Sequence, residues 1–195
     1  MTANEQARIG AILLAAGGSS RLGRPKQLVE FEGEPLIRRA AVALAGSVYF
    51  PVIVVLGAES DASRAEIASL PVYHTVNEEW QEGMSSSIRA GLLKMLELAP
   101  DIDAVLISLC DQPRVTAEML TGLALRFRAG DSPIVASAYK GTAGVPALFS
   151  RELFTSLLNL KGDKGARHLI RGSETVVTVD LPAAEFDIDT AADLR

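Results

Sequence analysis

Ile9-Gly-Ala-Ile-Leu-Leu-Ala-Ala-Gly-Gly-Ser-Ser-Arg-Leu-Gly-Arg-Pro-Lys26 carries an apolar run straight into a glycine-rich, basic loop. The run Ile9 to Leu14, closed by glycines, is the pattern of a buried parallel strand. Residues without bulk after it let backbone N–H groups approach an anion and form a nest, and Arg21, Arg24 and Lys26 add positive charge from the same loop. Two familiar phosphate loops fail on spacing. The Walker pattern needs Gly-Lys-Ser/Thr where Gly23 is followed by Arg24-Pro25, and the dinucleotide pattern Gly-x-Gly-x-x-Gly is broken by Gly17-Gly18-Ser19. A plain strand-to-helix connection with solvated cations is the competing reading.

Outward from this loop, strand and helix patterns alternate. A helix is expected from about Pro35, with Leu36, Ile37, Ala40, Ala41 and Leu44 on one side. Strands are expected at Val52–Val55, Pro71–Val76, Ala104–Leu109 and Ile134–Ser137, then at Ala147–Ser150 and near Val176 and Phe186. Helices are expected at Asp61–Ala68, from Ser85 through Leu96, after a Thr116 cap, from about Arg151, and near Gly165–Arg171. Such alternation implies right-handed βαβ units and an α/β fold of three layers, with a mostly parallel sheet covered by helices on both faces. Ligands of such sheets bind outside the carboxyl ends of the strands, so the loops after Leu14, Val76 and Leu109 should meet at one site.

The bulk numbers agree with one domain spanning 1–195. The chain has 195 residues and 48% apolar content, ample for a core, and with 5% aromatics that core must be mainly aliphatic. A net charge of −5 argues against coating nucleic acid, and a single Cys excludes an internal disulfide. The start lacks a signal-peptide pattern, and no apolar stretch reaches the roughly 20 residues of a membrane span, so a soluble cytoplasmic protein is expected.

Two further loops and the C-terminal end hold unusual residues. Asn77-Glu-Glu-Trp-Gln-Glu-Gly83-Met-Ser-Ser-Ser87 offers backbone donors and small hydroxyls at a helix start, suited to a base edge or sugar, or simply to an N-cap. Asp111, in Leu109-Cys-Asp-Gln-Pro113, is a hard oxygen ligand for Mg²⁺ if a triphosphate lies beside it, and otherwise a turn former. Phe186-Asp-Ile-Asp-Thr190 alternates apolar and acidic residues, which in a strand puts Asp187 and Asp189 on one face. Asp193 fits a helix terminus. Cys110 has no His near it in sequence and reads as a small packed residue rather than a nucleophile, while His74 and His168 read as structural or exposed.

Leu14-Ala-Ala-Gly-x-Ser-x-Arg-x-Gly-x-x-Lys26 resembles the signature loop of the Rossmann-related, glycosyltransferase-A-like nucleotidyltransferases of the MobA-like NTP transferase superfamily. The run on through Pro25-Lys-Gln-Leu28 is most similar to MocA-type molybdenum cofactor cytidylyltransferases, and the resemblance extends to Leu194. It implies transfer of CMP from CTP to the phosphate of molybdopterin with release of pyrophosphate, with Mg²⁺ as cofactor. It implies that the triphosphate is gripped by Leu14, Ala15, Ala16, Gly17, Gly18 and Ser19, and its charge neutralised by Arg21 and Lys26. Asn77, Gly83 and Ser87 are implied at the base, Asp111 at the nucleotide and the metal, and Asp189, then Asp187, as the second metal ligand. Arg21, Lys26 and Asp111 are the implied catalytic set. Gly144-Val-Pro146 and Leu160-Lys-Gly-Asp-Lys-Gly165 are similar to the acceptor region, where Lys161, Lys164 and Arg167 either attract a phosphorylated acceptor or form a surface turn.

Guanylyl-transferring relatives usually carry Leu-Ala-Gly-Gly where this chain has Leu14-Ala-Ala-Gly17, which favours CTP. Guanylyl transfer, cytidylyl transfer to methylerythritol phosphate or a sugar phosphate, and a non-catalytic nucleotide-binding accessory of molybdoenzyme maturation stand as alternatives. A molybdoenzyme or its maturation factor is an implied partner.

Overall fold

In a computed structural model, described for residues 6–18, 25–190 and 193, the first strand, β1 (Ile9–Ala15), lies in the middle of a seven-stranded sheet. The other strands of that sheet are β4 (Val52–Leu56), β5 (Tyr73–Val76), β6 (Ala104–Leu109), β7 (Ile134–Tyr139), β8 (Thr142–Ser150) and β9 (Val176–Asp180). Between β1 and β4 a short hairpin forms from β2 (Glu30–Phe31) and β3 (Glu34–Pro35). The sheet order is β5-β4-β1-β6-β8-β7-β9, and only β8 runs against the rest. The expected mostly parallel sheet is therefore present, in one α/β domain.

Among the described residues six α-helices cover it: α1 (Leu36–Ala45), α2 (Ser60–Ile67), α3 (Met84–Leu98), α4 (Ala117–Arg128), α5 (Phe154–Leu158) and α6 (Arg167–Gly172). The alternation of β1 shows how the layers form. Ile9, Ala11, Leu13 and Ala15 pack into a core with Ile37, Leu44, Leu120 and Phe127 of α1 and α4, and Ile12 and Leu14 pack into a second core with Ile88, Leu92 and Leu157 of α3 and α5. Burial on both faces explains why the strand reads as a continuous apolar run. Thr116 caps α4 as expected, its side chain accepting from Met119 N. No helix among the described residues is long and apolar enough to cross a membrane.

Three expectations need correction. Phe186 begins no strand: the chain there follows a single 3-10 turn, Pro182–Glu185, and pairs with no ladder. Apolar–acidic alternation marks extended chain, and Ile188 is indeed buried between exposed Asp187 and Asp189, but a strand also needs a neighbour's backbone. β8 starts at Thr142, not Ala147, because a register shift opposite Ala136 and Ser137 bulges out Val145-Pro146, where a residue without an N–H costs no ladder bond. The three serines do not cap α3. Gly83 holds the cap position with no side-chain bond, and Ser85, Ser86 and Ser87 lie buried in the first turn.

Candidate active site

The loops leaving β1, β5 and β6 do meet, at the carboxyl end of the sheet, around a cleft of about 350 Å³. Leu14, Ala15, Ala16, Gly17, Gly18 and Lys26 line it from the first loop, Gly83 and Ser87 from the second, and Asp111 from the third. Ser19 and Arg21 lie outside the described residues. Two glycines, Gly18 at the cleft and Gly57 beside it, are required by close approach, whereas a Cβ at Gly17 would meet nothing within 4 Å. A Cβ at Gly18 would stand 2.6 Å from the Trp80 ring, and one at Gly57 would stand 2.5 Å from the Ala16 carbonyl oxygen.

The Lys26 ammonium joins two carboxylates, with Nζ 2.8 Å from Asp111 Oδ2 and 2.6 Å from Asp189 Oδ1. Burial works against the Lys26 charge, yet Asp111 and Asp189 together hold its pKa above the ordinary lysine value. Burial pushes the Asp111 carboxyl above the ordinary carboxylate value despite Lys26, and the charges of Asp187 and Asp189 add to that push. Its second oxygen, Oδ1, is buried with no hydrogen-bond partner. A buried, unpaired carboxylate oxygen beside a second carboxylate is a donor set that fits a hard divalent cation. Among the described residues no three His, Cys, Asp or Glu side chains gather into a complete cage, so water and substrate oxygens must supply the remaining ligands. Few protein ligands is the pattern of a cation carried in with phosphates.

Of the two C-terminal aspartates, Asp189 contacts Lys26, whereas Asp187 lines a neighbouring cleft with Arg114 and Lys140. Asp193 turns back on its own segment, accepting from Thr190 N at 2.7 Å and Thr190 Oγ1 at 2.9 Å, which holds its pKa below the usual range.

Asn77 is buried and does not line this cleft; it donates to Ser86 Oγ at 2.8 Å and to Ser87 Oγ at 3.0 Å, and Ser87 does line it. Cys110 is buried beside Asp111, its thiol pushed up to about 12 by loss of solvent, which removes it as a nucleophile at neutral pH. His74 and His168 are exposed and outside the cleft. The acceptor-like turn reaches the cleft through Asp163, which packs against Gly83. Lys161 and Arg167 are exposed, and the Lys164 side chain is outside the described atoms.

Trp80, Gln27 and Asp163 also line the cleft. For Trp80 a signal existed: the one Trp of an aromatic-poor chain sits in a polar loop. Gln27, with Nε2 donating to Ala58 O at 2.9 Å, is 1% exposed, and nothing in its local sequence marks it as buried.

The family model described as the MobA-like NTP transferase domain matches residues 11–179. The chain belongs to that family. A MobA-like NTP transferase is a nucleotidyltransferase, and the cleft lies outside the carboxyl ends of the strands, where open α/β sheets bind their ligands. Among curated proteins the chain is 31% identical to nicotine blue oxidoreductase of Paenarthrobacter nicotinovorans, over 84% of this chain and 81% of that one. It is 27% identical to the purine catabolism protein PucB of Bacillus subtilis, over 92% and 90%. Among solved structures, Rv0371c of Mycobacterium tuberculosis superimposes with a TM-score of 0.82 at 28% identity, covering 96% of this chain and 95% of that one. The same protein has been solved as a manganese complex.

Proposed function

We propose that this MobA-like transferase moves CMP from CTP to the terminal phosphate of molybdopterin and releases pyrophosphate. The observation that carries this reading is the convergence of the glycine-rich loop, Lys26, Asp111 and Asp189 on one cleft at the end of β1. The resemblance of Leu14-Ala-Ala-Gly17 and Pro25-Lys-Gln27 to MocA-type enzymes supports the base and the acceptor.

The chemistry asked of the residues is modest. An oxygen of the acceptor phosphate bonds to the α-phosphorus of CTP, the α–β phosphoanhydride bond breaks, and its electron pair leaves on pyrophosphate. A phosphate monoester is mostly dianionic at neutral pH, so no protein base is required to make it a nucleophile. What opposes reaction is repulsion between two anions, and the chain meets it by alignment and charge. Gly17 and Gly18 bring backbone near the phosphates, and Lys26 stabilises the charge that develops on the leaving group. Arg21 is assigned the same task from the same loop. Asp111 and Asp189 would hold Mg²⁺, with Asp187 the alternative second ligand from the neighbouring cleft, and the ion would neutralise the phosphate oxygens. Ser87 and Gly83 face the base, with Asn77 behind Ser87.

The test is a turnover screen of CTP, GTP, ATP and UTP against molybdopterin and simple sugar phosphates, read by magnesium-dependent pyrophosphate release. CTP with molybdopterin is expected to lead; preference for another base or acceptor reassigns the substrate, and CTP binding without release with any acceptor makes the protein an accessory. The similarity to nicotine blue oxidoreductase favours a second reading, an oxidoreductase acting on such a pigment. Bleaching of nicotine blue by reduced nicotinamides in the presence of the protein, with no pyrophosphate release, would decide for it.

A further inference from the structure

Asp189 has to be held opposite Asp111, yet it sits on a segment that joins no sheet. The ties of that segment, Ala184 to Thr190, can be followed one at a time. Ile188 N donates to the Asp111 carbonyl at 3.0 Å, and the Ile188 side chain is fully buried with Val29 and Leu36. The Phe186 ring lies beneath the Arg114 guanidinium, 3.8 Å from its carbon. Glu185 pairs with Lys140 Nζ at 3.3 Å, and the Phe186 ring also meets that of Phe31, centroids 5.8 Å apart. A further tie is Gln112. Its Nε2 donates to the Ala184 carbonyl at 2.8 Å and to the Val145 carbonyl at 3.1 Å, from a side chain 5% exposed.

Gln112 follows Asp111 directly, but it does not line the cleft. Asp111 lines the cleft from the turn that follows β6, while Gln112, one residue on, reaches back under the C-terminal segment. The chemistry selects glutamine closely. One NH₂ group has two hydrogens for two carbonyls that belong to two different segments. A glutamate has nothing to donate, and an apolar side chain leaves the buried Ala184 carbonyl unpaired and the Val145 carbonyl with only the Tyr139 hydroxyl, at 3.0 Å. The Val145 carbonyl lies in the bulge of β8, which is anchored in the sheet, so the amide ties the C-terminal segment, which joins no sheet, to one that does.

We infer that Gln112 is a positioning residue for the divalent-cation site: by clamping Ala184 to the β8 bulge it sets the separation of Asp189 from Asp111. This rests on the reading of Asp111 and Asp189 as cation ligands. Partners of ligating groups commonly change metal affinity by about 10–100-fold when removed, without touching the metal.

The experiment titrates the purified full chain with Mn²⁺ alone and reads free Mn²⁺ by electron paramagnetic resonance. Gln112→Met, of similar length, and Gln112→Glu are expected to bind Mn²⁺ at least 10-fold more weakly than wild type. Ile188→Ala, which loosens the same segment from another tie, should weaken it in the same direction, and carries the test if the Gln112 variants do not fold. Phe127→Leu, a core change remote from the site, should lower Tm and leave Mn²⁺ affinity unchanged. Wild-type affinity in both Gln112 variants, or equal weakening in Phe127→Leu, overturns the inference. Asp111→Asn separates the two levels of argument: if it binds Mn²⁺ as wild type does, the cation assignment itself fails, and the inference falls with it. If it weakens binding while the Gln112 variants do not, only the inference fails.

Discussion

The Lys26 ammonium lies 2.8 Å from Asp111 Oδ2, in the position a cation between Asp111 and Asp189 would contest. The lysine thus offsets one of two carboxylate charges that would otherwise repel across a partly buried site, and leaves the other uncompensated. On the proposed function, Asp111 and Asp189 would hold a divalent cation brought in with the nucleotide, which would leave Lys26 to pair with the phosphates. Lys26→Ala and Asp111→Ala should each lose about 10²–10³ or more in rate of pyrophosphate release. The two differ in metal binding. Lys26→Ala removes a competitor and should bind Mn²⁺ at least as tightly as wild type without nucleotide, while Asp111→Ala should bind it less. Near-normal turnover in either variant would remove these residues from the chemistry, and weaker Mn²⁺ binding by Lys26→Ala would show that the lysine is no competitor.

Cys110 supplies a pH test of the interior. Its thiol titrates near 12 in the folded chain, because burial penalises the thiolate, and near 8.5 in an unfolded one. Between those values the folded state holds a proton that the unfolded state has released, so stability falls as pH rises through the window. Denaturant midpoints should decline from about pH 8.5 upward, and Cys110→Ala should lose the part of that slope due to the thiol. The native protein should also resist iodoacetamide at pH 8, and Cys110→Ala should keep its turnover. Rapid alkylation of the folded protein at that pH would contradict the burial.

How much of this was legible can be argued from particular residues. β1 was, because a strand buried on both faces must be apolar throughout, and glycines must follow if backbone is to approach a phosphate. The alternating architecture followed from the same logic. The hairpin of β2 and β3 was not expected, since its turn is Glu32-Gly33 with both residues at positive φ, and Glu is an unusual residue at such a position. The serines of α3 looked like caps because Ser is the common capping residue, whereas Gly83 takes a φ of +114° to admit the Gly162-Asp163 turn, a contact between distant parts of the chain. The same distance in sequence hides Gln112 and Gln27, whose roles exist only once remote carbonyls have been brought to them. Asp111 and Lys26 could be named because their neighbours in sequence form a motif; their 2.8 Å contact could not.

Gly91 is a site where packing opposes propensity. Within α3, alanine in place of glycine gains about 1 kcal/mol of helix propensity. Here a Cβ would lie 2.5 Å from Ile12 Cγ2 and 2.8 Å from Val55 Cγ2, on two fully buried residues of central strands. Neither can swing aside, and overpacking of this kind costs about 1–3 kcal/mol. Gly91→Ala should therefore be destabilised on balance, by up to about 2 kcal/mol, with Tm falling by up to about 8 °C for a chain of this size. An unchanged or raised Tm would mean that α3 can lift from the sheet at little cost.

Asn77 decides whether the base end of the cleft depends on a residue that never faces it. Its amide donates to Ser86 Oγ and Ser87 Oγ, its carbonyl oxygen accepts from Glu79 N at 3.0 Å, and its backbone N–H bonds to the Leu56 carbonyl at 2.8 Å. Only Ser87 of these partners lines the cleft. Asn77→Ala should cost about 1–3 kcal/mol of stability through the partners left unpaired. It should also raise KM for the nucleotide about 10-fold, about 1.4 kcal/mol, with kcat less affected, because the loosened group meets the base rather than the reacting phosphorus. Ser87→Ala should do the same to KM. If Asn77 works through Ser87, the double variant will be no worse in KM than the worse of the single variants. If their effects simply add, Asn77 acts on the nucleotide by another route, and its hydrogen bond to Ser87 is incidental to recognition.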